Sequence, residues 1–521
     1  MSVGNIAELR QHIFSYADST DVARCARVCS AWTDDAQHIV WQELPSPHLL
    51  LELVDESSLC PTMTWRDGFG HATISKPVSW TRFHRTAVHV RKMSFSQSAA
   101  SKDVLERLAL MKALCPYLPL LPNLEEITVQ PSSQILWVPV VALFLHSGVR
   151  RLRILPPDSD GPSFFTYPPF FAEVLLRAPL LESLEIGECS MLTFNRVWRD
   201  EDASILASYA TQFPHLTHFS APPSVVAALE DIPTALPRLR VLHELSALRP
   251  KIAARDYRLV EWTTPLGSAL EDLALTATCA SALELLAANR LPRLRILCLE
   301  APMQIAAPQA MASFLRALST RCTALQELTI KCVGHGLFPS MVDQIHVSEF
   351  EPLADCESLA VLDLSGPCAL TFETDAQLAA ILPPHLRICR VAFVPLTGPL
   401  AEPRAQRPSL SLAALIPLAA RCRQLEELSV VLDPTVPANA DTGPIDRFSP
   451  VFRKLSIGHY AGAQGWDAPA VARYLARFLP QDCSVGLPRA PYWSGRWIEQ
   501  AEIAAGRERL KEAFELVRTF L

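Results

Sequence analysis

Two cysteines and two histidines near the start of the chain have residue types that bind metals or carry out nucleophilic chemistry. Cys25 and Cys29 lie four residues apart, with His12 and His38 on either side. On a helix the two thiols would share one face, so they could chelate zinc, or one could act as a nucleophile with a histidine base. A structural zinc site needs four ligands at characteristic Cys/His spacing, which this stretch lacks. The pattern therefore favours buried core thiols and no bound metal.

The motifs of common catalytic and nucleotide-binding sites are also missing. The sequence contains no G-x-S-x-G, H-E-x-x-H, phosphate-loop or G-x-G-x-x-G motif. His243 and Glu244 are adjacent, but no second histidine follows four residues later. The GFGH stretch at 68–71 has too few glycines to hold a phosphate. The sequence predicts a protein that is not an enzyme and needs no cofactor.

Composition excludes several classes of partner. The 521 residues are 49% apolar and 19% charged, with a formal net charge of -7. No dense Lys/Arg run is present, so we expect no nucleic-acid partner. The longest apolar stretch, Ile135 to Leu145, contains Pro139 and is shorter than the roughly 20 residues of a membrane span, so it predicts a buried helix. With no visible signal peptide and scattered cysteines, we expect free thiols and an intracellular location, cytoplasmic, nuclear or both.

A short phrase recurs along the chain: an apolar residue, two mostly polar residues, an apolar residue, any residue and another apolar residue. It begins at positions 90, 124, 149, 181, 216, 239, 270, 294, 325, 359, 386, 425 and 452. In a strand, residues two apart share a face, so Leu184 and Ile186 should point into a core and Glu185 outward. Amphipathic helical segments precede most phrases, and each unit averages about 30 residues.

This repeat resembles the leucine-rich repeat, whose L-x-x-L-x-L signature most units carry. The Asn or Cys that follows in the family is mostly missing, and the best match is LESLEIGEC, which ends at Cys189. The resemblance implies an α/β fold: a curved solenoid of helix–strand units with a parallel sheet on the concave face. A doubly wound α/β domain is the alternative reading of the same helix–strand alternation.

The opening block predicts three short amphipathic helices. Ile6, Leu9, Ile13 and Phe14 share one helical face. A second helix from about Asp21 would carry an apolar stripe, and a third would cover about Asp34 to Leu44. Listed along the chain, the members of the second stripe are Val22, Cys25, Val28, Cys29 and Trp32. Such a small module needs a partner or a neighbouring domain to complete its core.

This block resembles an F-box through IAEL at 6–9, IFSYAD at 13–18, VCSAW at 28–32 and Trp41 with Glu43 and Leu44. The family usually has proline where this chain has Ala7. An F-box followed by leucine-rich repeats resembles the substrate receptors of Skp–cullin–F-box ubiquitin ligases, especially the divergent sets of mushroom-forming fungi. The resemblance implies that the block binds a Skp-type adaptor, and through it a cullin, while the repeats bind an unknown target protein.

The residues predicted to contact the adaptor are Ile6, Leu9, Ile13, Phe14, Val22, Val28, Cys29, Trp32 and Trp41. The target would meet charged side chains on the outward strand positions. Those predicted to bind it are Glu126, Arg151, Arg153, Glu185, Asp272, Glu327, Asp363, Arg390 and Glu427. This set is slightly acidic and weakly favours a basic target, although any such array has a solvated strand face.

We expect four segments: an F-box at 1–44, a connector and cap at 45–87, a repeat solenoid at 88–486 and a C-terminal helical cap at 487–521. The C-terminal helix could instead be a free partner-binding helix. Two further functions stay open. The chain could be a repeat scaffold without ligase coupling, or a sensor with a ligand pocket in its repeats.

Overall fold

The computed structural model describes most of the chain. The described residues are 9, 12–14, 16–54, 62–66, 69–73, 80–95, 102–115, 118–130, 137–155, 167–187, 200–229, 232–244, 266–302, 310–333, 344–366, 369–393, 410–436, 446–458, 466–487 and 501–520. The sequence also indicates a Pro-rich surface loop at about 395–408 and a second loop at 433–447. The first and most of the second lie outside the described residues.

Strands and helices alternate along most of the chain. The strands are β1 Glu43–Leu44, β2 Thr62–Arg66, β3 Phe69–Thr73, β4 Lys92–Phe95, β5 Glu126–Val129, β6 Arg151–Ile154, β7 Ser183–Ile186, β8 His218–Ala221, β9 Val241–Glu244, β10 Asp272–Thr276, β11 Ile296–Pro302, β12 Glu327–Val333, β13 Gln344–His346, β14 Val361–Gly366, β15 Ala369–Thr371, β16 Ile388–Phe393, β17 Glu427–Val431, β18 Lys454–Gly458 and β19 Ser484–Gly486. The α-helices are Ser19–Cys25, Ser30–Val40, His48–Glu52, Thr81–Ala87, Lys102–Leu114, Trp137–Ala142, Tyr167–Arg177, Asp200–Ala210, Pro223–Ala227, Ile232–Ala235, Cys279–Ala288, Ala310–Arg321, Gln377–Ile381, Leu415–Arg421, Ala468–Ala476 and Ala501–Phe520. Two 3₁₀ helices cover Val347–Asp355 and Leu412–Ala414.

The chain divides into two compact units. The first contains Met1–Leu229 and Thr234–Leu239, and the second contains Glu230–Pro233 and Arg240–Leu521. In the first unit, parallel strands follow the order β1-β4-β5-β6-β7-β8. In the second unit, the parallel order is β9-β10-β11-β12-β14-β16-β17-β18-β19. Each new strand is added beside the previous one, as in a repeat solenoid, which confirms the predicted fold class.

Two small sheets lie beside this pattern. β2 and β3 form an antiparallel hairpin within the predicted connector. β13 and β15 pair in parallel in the second unit. The connector also contains the helices His48–Glu52 and Thr81–Ala87. The predicted division into four segments stays a prediction.

A shared hydrogen-bond pattern fixes the register of the repeats. The carbonyl of the second phrase residue accepts two backbone N–H groups from the next unit. Arg91, for example, accepts from Glu125 and Glu126 at 2.8 and 3.0 Å. The carbonyls that accept two such bonds are those of Gln42, Arg91, Glu125, Arg150, Glu182, Arg240, Glu271, Arg295, Gln326, Ala360, Arg387 and Glu426. Because a carbonyl oxygen has two lone pairs, one atom can fix both residues that enter the next strand.

The core lies between the strands and the helices that precede them. Inward phrase positions are closed to solvent, as at Leu184 and Ile186, which are 1% and 0% exposed. Helices add apolar side chains such as Phe314 and Leu318, both at most 1% exposed. The C-terminal helix Ala501–Phe520 contributes Leu510, Phe514 and Val517 to buried positions. The spacing of Ile503 in the sequence would place it on the same face, but its side chain is not among those that the structure describes.

The helices of the opening block begin and end at other residues than predicted. The second helix ends at Cys25, and the third runs from Ser30 to Val40 instead of from about Asp34 to Leu44. The break occurs because Cys29 is extended, with φ of -160° and ψ of 164°. The Thr33 hydroxyl donates to the Ala26 carbonyl at 2.8 Å and closes this turn.

Six strands were not predicted: the four strands of the two small sheets, β2, β3, β13 and β15, and two strands of the main parallel order. β1 follows the third helix directly, and β19 follows the last phrase. Both are short and lack a complete phrase, although Trp41 to Leu44 already fits its first four positions.

Truncation of an inward phrase residue tests the core. We expect Leu184→Ala to lower the free energy of unfolding of its unit by about 2–5 kcal/mol, because it leaves a cavity in a closed core. The matched change Ser183→Ala, one residue earlier on the half-buried side, should cost less than about 0.5 kcal/mol. Urea unfolding followed by circular dichroism measures both, and equal midpoints would contradict the inward assignment.

Candidate functional site

A small core holds the opening helices together. Phe14, Val22 and Ala36 are buried, and Trp32 packs against them. The Trp32 ring meets the Phe14 ring edge to face, with 5.4 Å between ring centroids and 77° between ring planes. Burial of two aromatic rings supplies a large share of the apolar area of so small a module. The two rings therefore position the three helical segments relative to one another.

A hydrogen bond to a side chain sets where the second helix starts. The Asp18 carboxylate accepts the backbone N–H of Asp21 at 2.8 Å and caps the helix Ser19–Cys25. An aspartate at this end also complements the positive end of the helix dipole. The cap orients the helix so that Val22 faces Phe14 and Ala36.

Four large apolar side chains of the module face solvent. Leu9, Ile13, Tyr16 and Val28 are 38%, 50%, 81% and 67% exposed. The first three follow the spacing of one helical face. Tyr16 was not among the predicted contact residues, although its spacing from Leu9 and Ile13 could have shown it. Val28 lies in the turn before the third helix, and we call the set of these four exposed side chains the apolar docking stripe. An exposed apolar group of this kind on a small module is typical of a protein-binding surface.

The predicted adaptor-contact residues fall into two groups. Phe14 and Val22 lie in the core, while Leu9, Ile13, Val28 and Cys29 are exposed. Trp32 and Trp41 are half-buried, and Ile6 lies outside the described residues. The prediction that Cys29 is a buried core thiol is wrong, because this residue forms the extended turn before Ser30. The buried residues can act on a partner only by holding the exposed ones in place.

The opening module continues into the repeats through hydrogen bonds. Gln42, just after the third helix, accepts the N–H groups of Arg91 and Lys92 at 2.9 Å each. Beside this strand pairing, His38 Nδ1 and His89 Nδ1 lie 3.3 Å apart. Nearby, Arg85 Nη2 lies 3.1 Å from the Asp34 carboxylate. The opening module and the first repeat therefore meet through backbone pairing and polar side chains.

Charged outward strand positions form a polar sheet face in each unit, whereas the outward positions Ala274 and Cys298 on β10 and β11 are buried. In the first unit, Glu126 lies between Lys92 and Arg151, at 3.8 and 3.6 Å. Between the next two strands, β6 and β7, Arg153 Nη2 lies 2.9 Å from the Glu185 carboxylate. These partners lie on neighbouring strands, where cross-strand charges of opposite sign attract. The predicted charged residues of this unit therefore compensate one another.

A longer network lies on the polar sheet face of the second unit. Arg390 reaches Asp363 at 3.8 Å and Glu427 at 3.3 Å, and Lys454 lies 2.8 Å from Glu427. Burial raises the pKa of Asp363, while the cations Arg390 and Lys331 act against this rise. Burial also acts to raise the pKa of Glu427, but hydrogen bonds from Lys454 and Arg390 outweigh it and the pKa is lowered. The network thus keeps Glu427 charged.

Eight of the nine predicted target-contact residues take part in such pairs. Asp272 is counted through His243, whose Nε2 lies 3.0 Å from its carboxylate, and this contact is an ion pair only when the imidazole is protonated. Glu327 is exposed and makes no ion pair with any described residue. The acidic tilt expected from the sequence is therefore largely neutralised within the face, which weakens the argument for a basic target.

The polar groups of the repeats do not form a nucleophilic site in the described part of the chain. Burial raises the pKa of Cys279 and of Cys322 to about 12, and it also raises the pKa of Cys298. A protonated thiol is a weak nucleophile. His243 and Cys298 occupy the same register on β9 and β11, two strand spacings or about 10 Å apart, which exceeds hydrogen-bond reach.

Among the described residues, no group of three or more His, Cys, Asp or Glu side chains is arranged to hold a metal ion. No helix in this part of the chain has both the length and the apolar character needed to cross a bilayer.

Residues 7–44 match the F-box-like family. The match contains the core residues and the apolar docking stripe, and it begins one residue after Ile6. None of the curated proteins matches the chain. Among solved structures, the yeast Rad7 and Elc1 complex is similar at 16% identity, with 64% of this chain and 77% of that chain covered and a TM-score of 0.33. We refer to residues 7–44 below as the F-box-like module.

The histidine contact between the F-box-like module and the first repeat predicts a dependence on pH. Burial lowers the pKa of His89, as do the neighbouring His38 and Arg85, while Asp34 acts in the opposite direction. Because the folded pKa lies below the unfolded one, unfolded chains bind the proton first, and stability falls as pH drops below about 6.5. We expect His89→Asn to reduce the loss of stability between pH 7.5 and pH 5.5.

The urea midpoint at the two pH values measures this difference. Part of the pH dependence should remain in the variant, because burial also lowers the pKa of His146. An unchanged difference between the midpoints of wild type and His89→Asn would rule out His89 as a contributor.

Proposed function

We propose that the chain is a substrate-recognition adaptor of a ubiquitin ligase of the Skp–cullin–F-box type. The observation that carries the proposal is the apolar docking stripe on the F-box-like module. In this role, the module binds a Skp-type adaptor and through it a cullin, and the repeats bind the protein to be modified.

The division of labour within the module supports this role. Phe14, Val22 and Ala36 already form its core, so the exposed Ile13 and Val28 are not needed to complete it. Apolar side chains gain free energy when a partner removes them from water, by roughly 25 cal/mol per Å². The stripe is therefore suited to a partner with an apolar surface of its own.

In this proposal the repeats supply the target-binding surface. The nine charged residues predicted from the sequence lie on the polar sheet faces, where their ion pairs present a fixed pattern of charge. The chain itself performs no chemistry and needs no cofactor, since bringing the target close to a transferring subunit is sufficient. An intracellular location, cytoplasmic or nuclear, stays a prediction.

Adaptor binding is tested by charging the stripe. The double variant Ile13→Asp and Val28→Asp should lose the Skp-type adaptor on co-purification, because carboxylates cannot be buried against an apolar partner without a large cost. Leu176→Asp is the matched control: its side chain is 73% exposed, on the helix Tyr167–Arg177 outside the module. Circular dichroism shows whether all proteins are folded.

Adaptor that stays bound to the double variant would show that the stripe is not the contact. If folded wild type binds no adaptor, the chain is a repeat scaffold without ligase coupling.

The target side is tested by reversing charges that face solvent. Arg151 is 63% exposed, and Glu327 is the predicted contact without an ion pair among the described residues. We expect the double variant Arg151→Glu and Glu327→Lys to keep the adaptor and lose the proteins that wild type cross-links in cells. The same cross-linked proteins in both samples would mean that the polar sheet faces do not bind the target.

A further inference from the structure

A second row of charges runs along the edge at which the strands begin. It consists of the second residue of each phrase, the same residue whose carbonyl fixes the register. Many adjacent members have opposite charges: Arg91 Nη1 lies 2.7 Å from Glu125, and Arg387 Nε lies 2.7 Å from Glu426. The other pairs in this row are Arg150–Glu182 and Arg240–Glu271. In these pairs each arginine of the row is neutralised by a glutamate on the next strand.

The alternation is interrupted at the three uncharged members Thr217, Gln326 and Ala360. Arg295 donates to the Gln326 side-chain oxygen from Nε at 3.3 Å and from Nη2 at 2.9 Å. An amide oxygen satisfies these donors but carries no charge. Nearby, the exposed Arg293 makes no hydrogen bond or ion pair with any described residue. The guanidinium groups of Arg295, in the row, and of Arg293, just before it in sequence, therefore have no carboxylate partner among the described residues.

These side chains line an open cavity of about 450 Å³. Its charged groups are Arg240, Arg293 and Arg295, with Glu271 as the one carboxylate in the lining. Gln326 and Ser358 add polar groups, and all of them precede the strands β9, β10, β11, β12 and β14 at the same edge. We call this cavity the edge groove. Arg240 and Glu271 cancel each other, so the groove has two positive charges in excess.

The lining residues are spread along the edge where the strands begin. They come from five consecutive neighbouring strands, which at about 4.8 Å per strand spacing span roughly 19 Å. An extended peptide covers this distance with roughly six residues at about 3.3 Å each. A compact ion would contact only a small part of this distance.

We propose that the edge groove binds an extended acidic segment of a protein partner, with Asp or Glu carboxylates on Arg293 and Arg295. Guanidinium groups pair with carboxylates through two parallel hydrogen bonds, which gives both attraction and orientation. The neutral Gln326 leaves this attraction available, since a glutamate there would pair with Arg295 as Glu426 pairs with Arg387.

This inference deepens the proposed function by naming a class of target segment, but it is tested separately from adaptor binding. It also differs from the sequence-based expectation of a basic target. That expectation rested on carboxylates of the polar sheet face, most of which have cationic partners. The edge groove holds two positive charges without a carboxylate partner among the described residues.

The test uses the full chain and a short fluorescein-labelled peptide of alternating glutamate and glycine, with binding read by fluorescence anisotropy. We expect the peptide to bind, its glutamine counterpart to bind much more weakly, and the affinity to fall as salt rises from roughly 0.05 to 0.5 M. Gln326→Glu should weaken binding about fivefold or more, because it supplies an internal carboxylate to Arg295. This variant should remain folded, because it completes a pair of the kind already present at Arg387 and Glu426.

Arg387→Gln is the matched control. It removes an arginine of the same row that does not line the groove, and it should leave peptide binding unchanged. Equal affinity of wild type and Gln326→Glu would overturn the proposal, as would equal binding of the glutamate and glutamine peptides. Displacement of the peptide by an equimolar amount of inorganic phosphate would also overturn it, because a compact ion would then suffice. Adaptor co-purification with each variant shows separately whether the F-box-like module still functions.

Discussion

The repeats depend on one hydrogen-bonding arrangement: a backbone carbonyl that accepts two N–H groups from the following unit. From Gln42 to Glu426 this carbonyl belongs to the second phrase residue, and the bonds measure 2.7–3.1 Å. Because it fixes two successive residues, it sets which side chains of the next strand face the core. The apolar side chains at the fourth position, mostly leucines, can be buried in every repeat only if this register is kept. The charged side chains follow the same register, so opposite charges meet across strands on the polar sheet face and at the edge where the strands begin.

The fold was largely predictable because its signal is repeated. Each of the thirteen phrases supplies a strand, and alternation within a phrase shows which residues are buried, as at Leu184. Short elements at the ends were not predictable. β1 and β19 lack a full phrase and are strands because a neighbouring repeat offers them hydrogen bonds. In the F-box-like module, a stripe drawn through Val22 and Trp32 missed the break at Cys29, since periodicity alone does not show where a chain turns.

The candidate sites were predictable in residue type but not in charge balance. The sequence places Glu126, Arg390 and Glu427 on outward positions, and the structure finds them there. Whether a charge is available to a partner depends on its neighbour about 30 residues away in sequence, which a reading of single phrases does not compare. For the same reason the edge groove was not anticipated: the residue that defines it, Gln326, is notable only beside Glu125, Glu182, Glu271 and Glu426 in the same row.

The bond from Gln42 to the first repeat has a geometrical consequence. Since the F-box-like module enters the sheet of the first unit as an edge strand, no free linker separates it from the repeats of that unit. The distance from the module to a given strand there is then a count of strand spacings, about 4.8 Å each. Gain or loss of one repeat in the first unit would therefore change the distance from the module to the strands beyond that repeat in the unit by one strand spacing.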